Sequence, residues 1–247
     1  MQLEARRKAR VRGDGLSLAY RQWGIGSAGL PVLLLHGITG SSGDWEGTAA
    51  HLPGRHIIAL DARGHGDSDW STGGAYAGDQ HYADLSLALD DLAVERCILT
   101  GYSMGGGIAM IAAAAMPERI AGVVVVDAYP DPTMSTGSRR IARWISGLAR
   151  THTSFDPAIA EHFREQLAAG TANRLDLWPM WEAIECPAVI VRGEESDVLP
   201  ASTARRMLAR QPRANLVEIP GVAHGIPYAR PGELAVVIEE LAKAVAE

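Results

Sequence analysis

The stretch 97–116 constrains the fold of this chain more than any other. It begins as a short apolar run of β-type residues, passes through a Gly-Tyr-Ser-Met-Gly turn at 101–105, and continues as an Ala-rich run typical of a helix. In so sharp a turn, the residues two before and two after the serine must lack side chains so that strand and helix can approach each other. The stretch therefore predicts strand, tight turn and helix, with Ser103 exposed at the turn as a candidate nucleophile.

The rest of the chain alternates between strand and helix patterns. An N-terminal hairpin is predicted over 5–23, and helical patterns cover about 79–94, 103–116, 200–211 and 231–246. Six continuous apolar runs, each typical of a strand buried on both faces of a parallel sheet, lie at 31–37, 56–61, 97–100, 122–127, 187–192 and 214–219. This alternation predicts an α/β fold with a doubly wound, mostly parallel eight-stranded sheet.

One interval breaks the alternation. Roughly sixty residues between Asp127 and Pro187 contain helical stretches but no strand pattern, far more than an ordinary connection needs. We interpret 129–185 as a helical cap inserted over the carboxyl ends of the strands. The segments 1–128 and 186–247 then form the core domain.

Composition narrows the classes of partner. At 247 residues the chain suits one α/β domain, and its net charge of −6 gives no basic excess for nucleic acid or an anionic membrane. No run approaches the roughly 18 apolar residues of a membrane-spanning helix, and the basic N-terminus lacks the apolar core of a signal peptide. The cysteines, Cys97 and Cys186, suit inert thiols in a reducing compartment. We therefore expect a cytoplasmic protein that binds neither nucleic acid nor membranes, in an oligomeric state that the sequence leaves open.

Motifs for cofactors are missing from the sequence. No glycine-rich phosphate-binding pattern stands between a strand and a helix, and the eight histidines are scattered without metal-ligand spacing. We therefore expect neither a metal nor a cofactor.

A serine near neutral pH needs a base to take its proton, and the base needs an orienting acid. In an open parallel sheet these partners come from loops at the carboxyl ends of strands. His224 follows the last predicted strand among small residues and is the predicted base. Two acids are candidates, because Asp197 follows the fifth buried run and Asp127 ends the fourth. Either one gives the chain order nucleophile, acid, base, so these residues alone leave the choice open.

Five motifs, spread along nearly the whole chain, resemble those of the α/β-hydrolase fold family. They are His36-Gly37-Ile38, the segment 61–68 (Asp-Ala-Arg-Gly-His-Gly-Asp-Ser), the segment 101–106, Gly193-x-x-x-Asp197 and Gly221-x-x-His224. The resemblance implies that Ser103 is the nucleophile, His224 the base and Asp197 the orienting acid. It also implies an oxyanion hole made by the backbone N–H groups of Ile38 and Met104.

The same resemblance narrows the chemistry. A serine rather than a carboxylate at the turn favours acyl transfer over the alkylation chemistry of the family's dehalogenases and epoxide hydrolases. A lyase group of the menaquinone pathway has a similar turn followed by an arginine, where this chain has Gly107. We therefore expect a serine hydrolase of the carboxylesterase or lactonase type that acts on a small-molecule substrate through an acyl-enzyme. The alternatives are a carbon–carbon bond hydrolase, a perhydrolase or a lyase with the same triad, and a non-catalytic small-molecule receptor.

Aromatic side chains are concentrated in the predicted cap. The predicted substrate-binding residues are Tyr129 at its entrance and Trp144, Trp178 and Trp181 within it. Each tryptophan is an equally good candidate for simple packing, since tryptophan buries well in any core. No arginine clamp is obvious, although Arg139, Arg140, Arg143 and Arg174 could turn inward. An apolar pocket of this kind predicts neutral substrates of medium length.

Overall fold

An eight-stranded sheet forms the centre of the protein. The computed structural model describes residues 9–148, 154–168 and 175–246. The strands are β1 (Ala9–Arg12), β2 (Ser17–Trp23), β3 (Val32–Leu35), β4 (Ile57–Leu60), β5 (Cys97–Tyr102), β6 (Ile120–Val126), β7 (Ala188–Gly193) and β8 (Ala214–Ile219). All neighbouring strands are parallel except for the two pairs that include β2. The predicted mostly parallel eight-stranded sheet is confirmed; residues 5–8 of the predicted hairpin lie outside the described residues.

Helices cover both faces of the sheet. They are α1 (Glu46–Ala50), α2 (Gly78–Asp91), α3 (Met104–Ala115), α4 (Thr136–Gly147), α5 (Pro157–Ala168), α6 (Trp178–Glu182), α7 (Ala201–Arg210), α8 (Ile226–Ala229) and α9 (Pro231–Ala244). The four predicted helical patterns correspond to α2, α3, α7 and α9. Apolar side chains of α2, α3, α6 and α7 pack on one face, and those of α1, α8 and α9 pack on the other. The doubly wound arrangement is therefore confirmed.

Strand order determines where a crevice opens. The order across the sheet is β1-β2-β4-β3-β5-β6-β7-β8, so the chain leaves β3 toward β4 on one side and returns to β5 on the other. A ligand crevice forms at the carboxyl ends of strands where the order reverses in this way. The loop after β3 carries the segment 36–40, and β5 leads directly into Ser103. The fold thus brings two of the predicted motifs to one edge of the sheet.

The helices between β6 and β7 belong to two different environments. Helices α4 and α5 pack against each other around a small apolar cluster that includes Ile145, Phe155 and Ile159. Helix α6 instead packs on α3, and its Trp181 is fully buried in the larger core. Of the predicted cap at 129–185, α4 and α5 therefore pack on each other, whereas α6 packs as part of the core layer.

Membrane-spanning length is not reached by any described helix. None of the helices within 9–148, 154–168 and 175–246 is both long enough and apolar enough to cross a bilayer.

Candidate active site

The turn around Ser103 has the strained geometry that its sequence predicts. Ser103 directly follows β5 and has a φ of +54°, in the left-handed region that side-chain-bearing residues rarely adopt. A Cβ added to Gly101 would lie 2.1 Å from the carbonyl oxygen of Gly105, and one added to Gly105 would lie 2.3 Å from that of Leu35. Both glycines are therefore required by the close approach of helix to strand, and the turn presents the serine at the edge of the sheet.

His224 stands between Ser103 and an aspartate. It lies in the loop after β8, with its Nε2 3.1 Å from the Ser103 Oγ and its Nδ1 2.7 Å from the Oδ2 of Asp127. An ionised carboxylate only accepts hydrogen bonds, so Nδ1 donates to Asp127 and Nε2 is left to accept from Ser103. The Tyr102 ring packs beside the imidazole with 4.9 Å between centroids. This arrangement suits removal of the serine proton by the histidine.

Asp127 is the acid that the structure brings to this histidine. It directly follows β6, has a φ of +46°, and is completely buried. Its Oδ1 accepts a hydrogen bond of 3.2 Å from the backbone N–H of Gly193, and its Oδ2 accepts one of 2.5 Å from the hydroxyl of Ser196. Donors thus surround the carboxylate and hold it toward His224.

The structure corrects the prediction that Asp197 orients His224. Asp197 points away from the histidine and forms a two-pronged ion pair with Arg140 of α4, with 3.0 Å between its Oδ1 and one guanidinium nitrogen. Its side chain is about a third exposed. The motif spacing pointed to the loop after β7, whereas the aspartate that contacts His224 follows β6; in the loop after β7, Ser196 faces Asp127 and Asp197 faces Arg140. Spacing from a strand does not determine which of two consecutive loop side chains faces the site.

The loop after β3 presents the amide of Ile38 beside the serine. A hydrogen bond of 3.0 Å from the Gly40 N–H to the Gly37 carbonyl closes the turn, and Thr39 has a φ of +66° within it. Ile38 and Met104 both line the cavity next to Ser103. Among the described residues, the N–H groups of Ile38 and Met104 donate no hydrogen bond. Two such amides beside the candidate nucleophile Ser103 are what an oxyanion hole requires.

His36 holds the peptide that carries one of those amides. Its Nε2 accepts a hydrogen bond of 2.9 Å from the Ala62 N–H, so the proton resides on Nδ1, which donates to the Gly37 carbonyl across 2.7 Å. Burial lowers the pKa of His36, which favours this neutral form. In a planar trans peptide the N–H points opposite to the C=O. Anchoring the Gly37 carbonyl therefore sets the direction of the Ile38 N–H.

A cavity of about 380 Å³ opens above Ser103. Its wall is built largely from apolar residues of the core and of α4 and α5, including Ile108, Ile111, Ile141, Ile145, Ile159 and Phe163. The wall also contains the predicted Tyr129, Ile38 and Met104. Among the described residues its lining contains no lysine or arginine, and the one carboxylate there is that of Asp127, which already binds His224. Of the four arginines that could have turned inward, Arg139, Arg140 and Arg143 are not in the wall, and Arg174 lies outside the described residues.

Two histidines of the same wall, His65 and His81, are kept neutral by burial. Burial lowers the pKa of His65 to about 3 and that of His81 to about 4. The Nδ1 of His65 donates to the Arg63 carbonyl across 2.9 Å. Both imidazoles are uncharged at neutral pH, so this part of the wall adds polar groups without adding charge.

The structure corrects the predicted role of the three tryptophans, none of which lines the cavity. Trp144 lies on the outer side of α4 with 56% of its surface exposed. The ring centroid of Trp178 lies 4.7 Å from the guanidinium carbon of Arg206 and 4.5 Å from that of Arg210. Trp181 is buried in the core, and its indole N–H donates to the Met207 carbonyl. These rings pack the surface and the core.

Sequence reasoning missed the side chains of α4 that line the cavity. Ile141 and Ile145 lie four residues apart on α4, so they share one face of the helix. The apolar spacing within an arginine-rich helix was the signal that could have identified this inward face.

Comparison with known proteins places this geometry in a family. The model of the alpha/beta hydrolase family matches residues 32–237. The chain belongs to the alpha/beta hydrolase family. This alpha/beta hydrolase is 27% identical to a 3-hydroxybutyrate-oligomer hydrolase of Cupriavidus necator, over 89% of this chain and 90% of that protein. It is also 27% identical to a 2-(acetamidomethylene)succinate hydrolase of Mesorhizobium japonicum, over 90% of each chain.

Solved structures share the fold at lower identity. The enol-lactonase from Burkholderia xenovorans LB400 superimposes with a TM-score of 0.79 at 19% identity, covering 95% of this chain and all (100%) of that one. The meta-cleavage product hydrolase from Pseudomonas fluorescens IP01 gives a TM-score of 0.79 at 20% identity, covering 96% of this chain and 98% of that one. At this identity the similarity establishes the alpha/beta hydrolase fold alone.

Proposed function

We propose that this alpha/beta hydrolase is a serine hydrolase that cleaves neutral carboxylic esters or lactones through an acyl-enzyme. The observation that carries the proposal is the hydrogen-bonded series from Ser103 through His224 to Asp127 at the wall of a cavity whose described lining is mainly apolar. A relative that is similar over most of the chain, named as a 3-hydroxybutyrate-oligomer hydrolase, supports a hydrolytic reaction.

The reaction follows from the positions of the proton donors and acceptors. Ser103 Oγ attacks the substrate carbonyl carbon while its proton passes to His224 Nε2, and Asp127 stabilises the resulting imidazolium. The N–H groups of Ile38 and Met104 bind the oxyanion, each worth about 3 kcal/mol of barrier lowering. Collapse expels the alcohol, which takes the proton from His224. A water then attacks the acyl-enzyme by the reverse sequence and releases the acid.

The cavity supports neutral substrates of moderate size. Its volume of about 380 Å³ is at the lower end of the range of roughly 300–1,000 Å³ that small-molecule sites span. Since no lysine or arginine is among the described residues of the wall, a carboxylate on the substrate would lose its hydration there without gaining such a partner. We therefore propose that Tyr129, Ile108 and the inward side chains of α4 contact an uncharged acyl or lactone group.

A fluorophosphonate probe tests the nucleophile without knowledge of the natural substrate. The probe labels serines that a neighbouring base activates. We expect stoichiometric labelling of the wild-type protein at Ser103, identified by peptide mass, and no labelling of Ser103→Ala. The matched control is Ser146→Ala, because the Ser146 hydroxyl donates only to the Arg143 carbonyl of α4. Labelling of Ser103→Ala at the wild-type rate would reject the assignment.

A pair of aryl esters tests the substrate class. The two esters have the same acyl length and differ only in a terminal methyl or carboxylate group. We expect kcat/KM for the neutral ester to exceed that for the charged ester by at least about tenfold, since an unpaired buried charge costs more than 1.4 kcal/mol. Preference for the carboxylate would contradict the neutral-substrate proposal. Binding without turnover of any ester, together with no labelling, would favour a receptor.

A further inference from the structure

The loop after β7 brings a second side chain to the triad aspartate. Ser196 donates its hydroxyl to the Asp127 Oδ2 across 2.5 Å, and that same oxygen accepts from His224 Nδ1 at 2.7 Å. Ser196 is buried, as Asp127 is. The reaction described above assigns this serine no part, although it contacts the acid as closely as the histidine does.

The direction of this hydrogen bond is determined by the other contacts of Ser196. Its Oγ lies 3.2 Å from the backbone N–H of Val198 and 3.3 Å from that of Leu199, and backbone amides only donate. A hydroxyl has a single proton, so the Ser196 proton is directed at the Asp127 carboxylate. The two amides polarise the hydroxyl and strengthen its donation, because hydrogen bonds in series reinforce one another.

A buried arginine holds the loop in the conformation that makes this contact. Arg192, at the end of β7, donates to the carbonyl oxygens of Glu194, Ser196 and Leu199 at 3.0, 3.2 and 2.8 Å. Its remaining nitrogen binds the Glu218 carboxylate at 2.6 Å. The backbone on both sides of Ser196 is therefore held in place, which fixes the direction of the serine side chain.

We propose that Ser196 is a positioning residue, which fixes the Asp127 carboxylate against His224 and shares its negative charge. The proposal rests on the serine hydrolase function proposed above. Without the hydroxyl, Oδ2 would keep His224 as its donor, and the carboxylate could turn about its remaining bond to the Gly193 N–H. The carboxylate would also concentrate its charge on the imidazole and favour the protonated ring.

The other ionisable groups around His224 and its loop are neutral or already paired, so they have little influence on its protonation. The Tyr102 ring packs on His224, and burial raises the pKa of its phenol, which is neutral at working pH. The Arg192 guanidinium faces the loop carbonyls and Glu218, and the Asp197 carboxylate faces Arg140. Asp127 and Ser196 are thus the partners through which the protonation of His224 is expected to respond to a substitution in this loop.

Two substitutions at position 196 test the proposal. Ser196→Ala removes the donor, and Ser196→Thr retains a hydroxyl. We measure the rate of fluorophosphonate labelling from pH 5 to 9, kcat and KM for a neutral ester, and the proton resonance of His224 Nδ1. For Ser196→Ala we expect kcat to fall by up to about 100-fold with little change in KM, since a misplacement of about 1 Å among reacting groups can cost that much. The acid limb of the pH–rate profile moves to higher pH, because the carboxylate without its serine donor favours the protonated imidazole. Ser196→Thr restores both toward wild type.

The control is the next residue in the chain. Asp197→Asn changes the same loop without removing a donor to Asp127, and we expect its labelling rate and acid limb to match wild type within about twofold. If Ser196→Ala keeps the wild-type labelling rate, pH profile and Nδ1 resonance, the proposal is rejected, because a serine that only packs the loop would behave in that way. Failure of the proposed function is distinguishable: wild-type Ser103 would then resist labelling, while the Nδ1 resonance would still show whether Ser196 acts on the Asp127–His224 pair.

Discussion

At the level of single residues, Ser196 and Asp197 differ in the side of the loop to which they point. The inward serine donates to Asp127, the proposed acid, and the outward aspartate binds Arg140 of α4. Asp197 accepts both prongs of Arg140, and its carbonyl accepts a hydrogen bond of 3.0 Å from the Gly137 N–H of α4. A Cβ on Gly137 would lie 2.5 Å from the Asp197 Oδ1, so the glycine allows the helix to approach this loop. Asp197 thus helps to hold α4 against the loop after β7.

The two aspartates give a direct prediction. We expect Asp127→Asn to lower kcat/KM on the order of 10⁴-fold, because an asparagine favours the wrong histidine tautomer and cannot stabilise the imidazolium. Asp197→Asn removes an exposed ion pair worth at most about 1 kcal/mol and should leave kcat/KM within a few-fold of wild type. Ester hydrolysis by the two purified variants, with thermal melting as the check on folding, measures the difference. A larger loss of kcat/KM in Asp197→Asn would indicate that Asp197, in the loop after β7, is the acid.

At the level of elements, α4 has two faces with different neighbours. Its inner face presents Ile141 and Ile145 to the cavity, and its outer face carries Arg139, Arg143 and the exposed Trp144. The inner face therefore determines the shape of the pocket, whereas the outer face contacts solvent.

Specificity should follow the inner face of α4. We expect Ile141→Ala to shift the preferred acyl length upward, because deleting the side chain enlarges the cavity, with a change in the ratio of kcat/KM between long and short esters of roughly tenfold. Trp144→Ala, three residues away on the same helix, removes a larger side chain but should leave that ratio unchanged. Hydrolysis of an acyl-length series of aryl esters measures both. Equal effects of the two changes would mean that α4 acts on specificity through its stability alone.

At the level of the whole molecule, buried neutral histidines link stability to pH. His36, His65 and His81 all have a pKa lowered chiefly by burial. The Nε2 of His65 has no hydrogen-bond partner among the described residues, so a proton there would be buried without an acceptor. In the unfolded chain these imidazoles take up protons near pH 6.5, whereas in the folded protein they stay neutral to much lower pH. The unfolded state therefore binds more protons between these values, and stability rises with pH up to about 6.5.

We expect the free energy of unfolding to fall as the pH is lowered from 6.5 toward 4. Each neutral buried histidine contributes about 1.4 kcal/mol per pH unit in this window. His65→Phe should reduce the slope by about that amount, since phenylalanine cannot take up a proton in the unfolded state. Urea unfolding at pH 7.5, 6.0 and 5.0 measures the slope, and His51→Phe, at an exposed histidine, is the control. Parallel slopes for wild type and His65→Phe would contradict the proposed neutrality of His65.

Much of this architecture was predictable because its causes are local. Uninterrupted apolar runs such as 122–127 suit a strand covered on both faces, and the structure contains β6 there. The turn at Ser103 was predictable for a steric reason, since Gly101 and Gly105 stand where any Cβ would collide with backbone. The location of the proposed base was also predictable, because His224 lies in the loop after the last strand and such loops meet at one edge of a parallel sheet.

Only the tertiary structure determined which aspartate contacts His224 and which side chains line the pocket. Asp127 and His224 are 97 residues apart. Asp127 and Asp197 both follow strands, and both give the chain order nucleophile, acid, base. The choice depended on which side chain the loop around Arg192 turns inward, and that turn is determined by contacts with Asp127, Leu199 and Glu218 rather than by local propensity. The pocket wall depended likewise on how α4 sits on the core. Tryptophan content does not carry that information, because a large apolar ring gains as much from burial in the core, where Trp181 lies, as it would from lining a cavity.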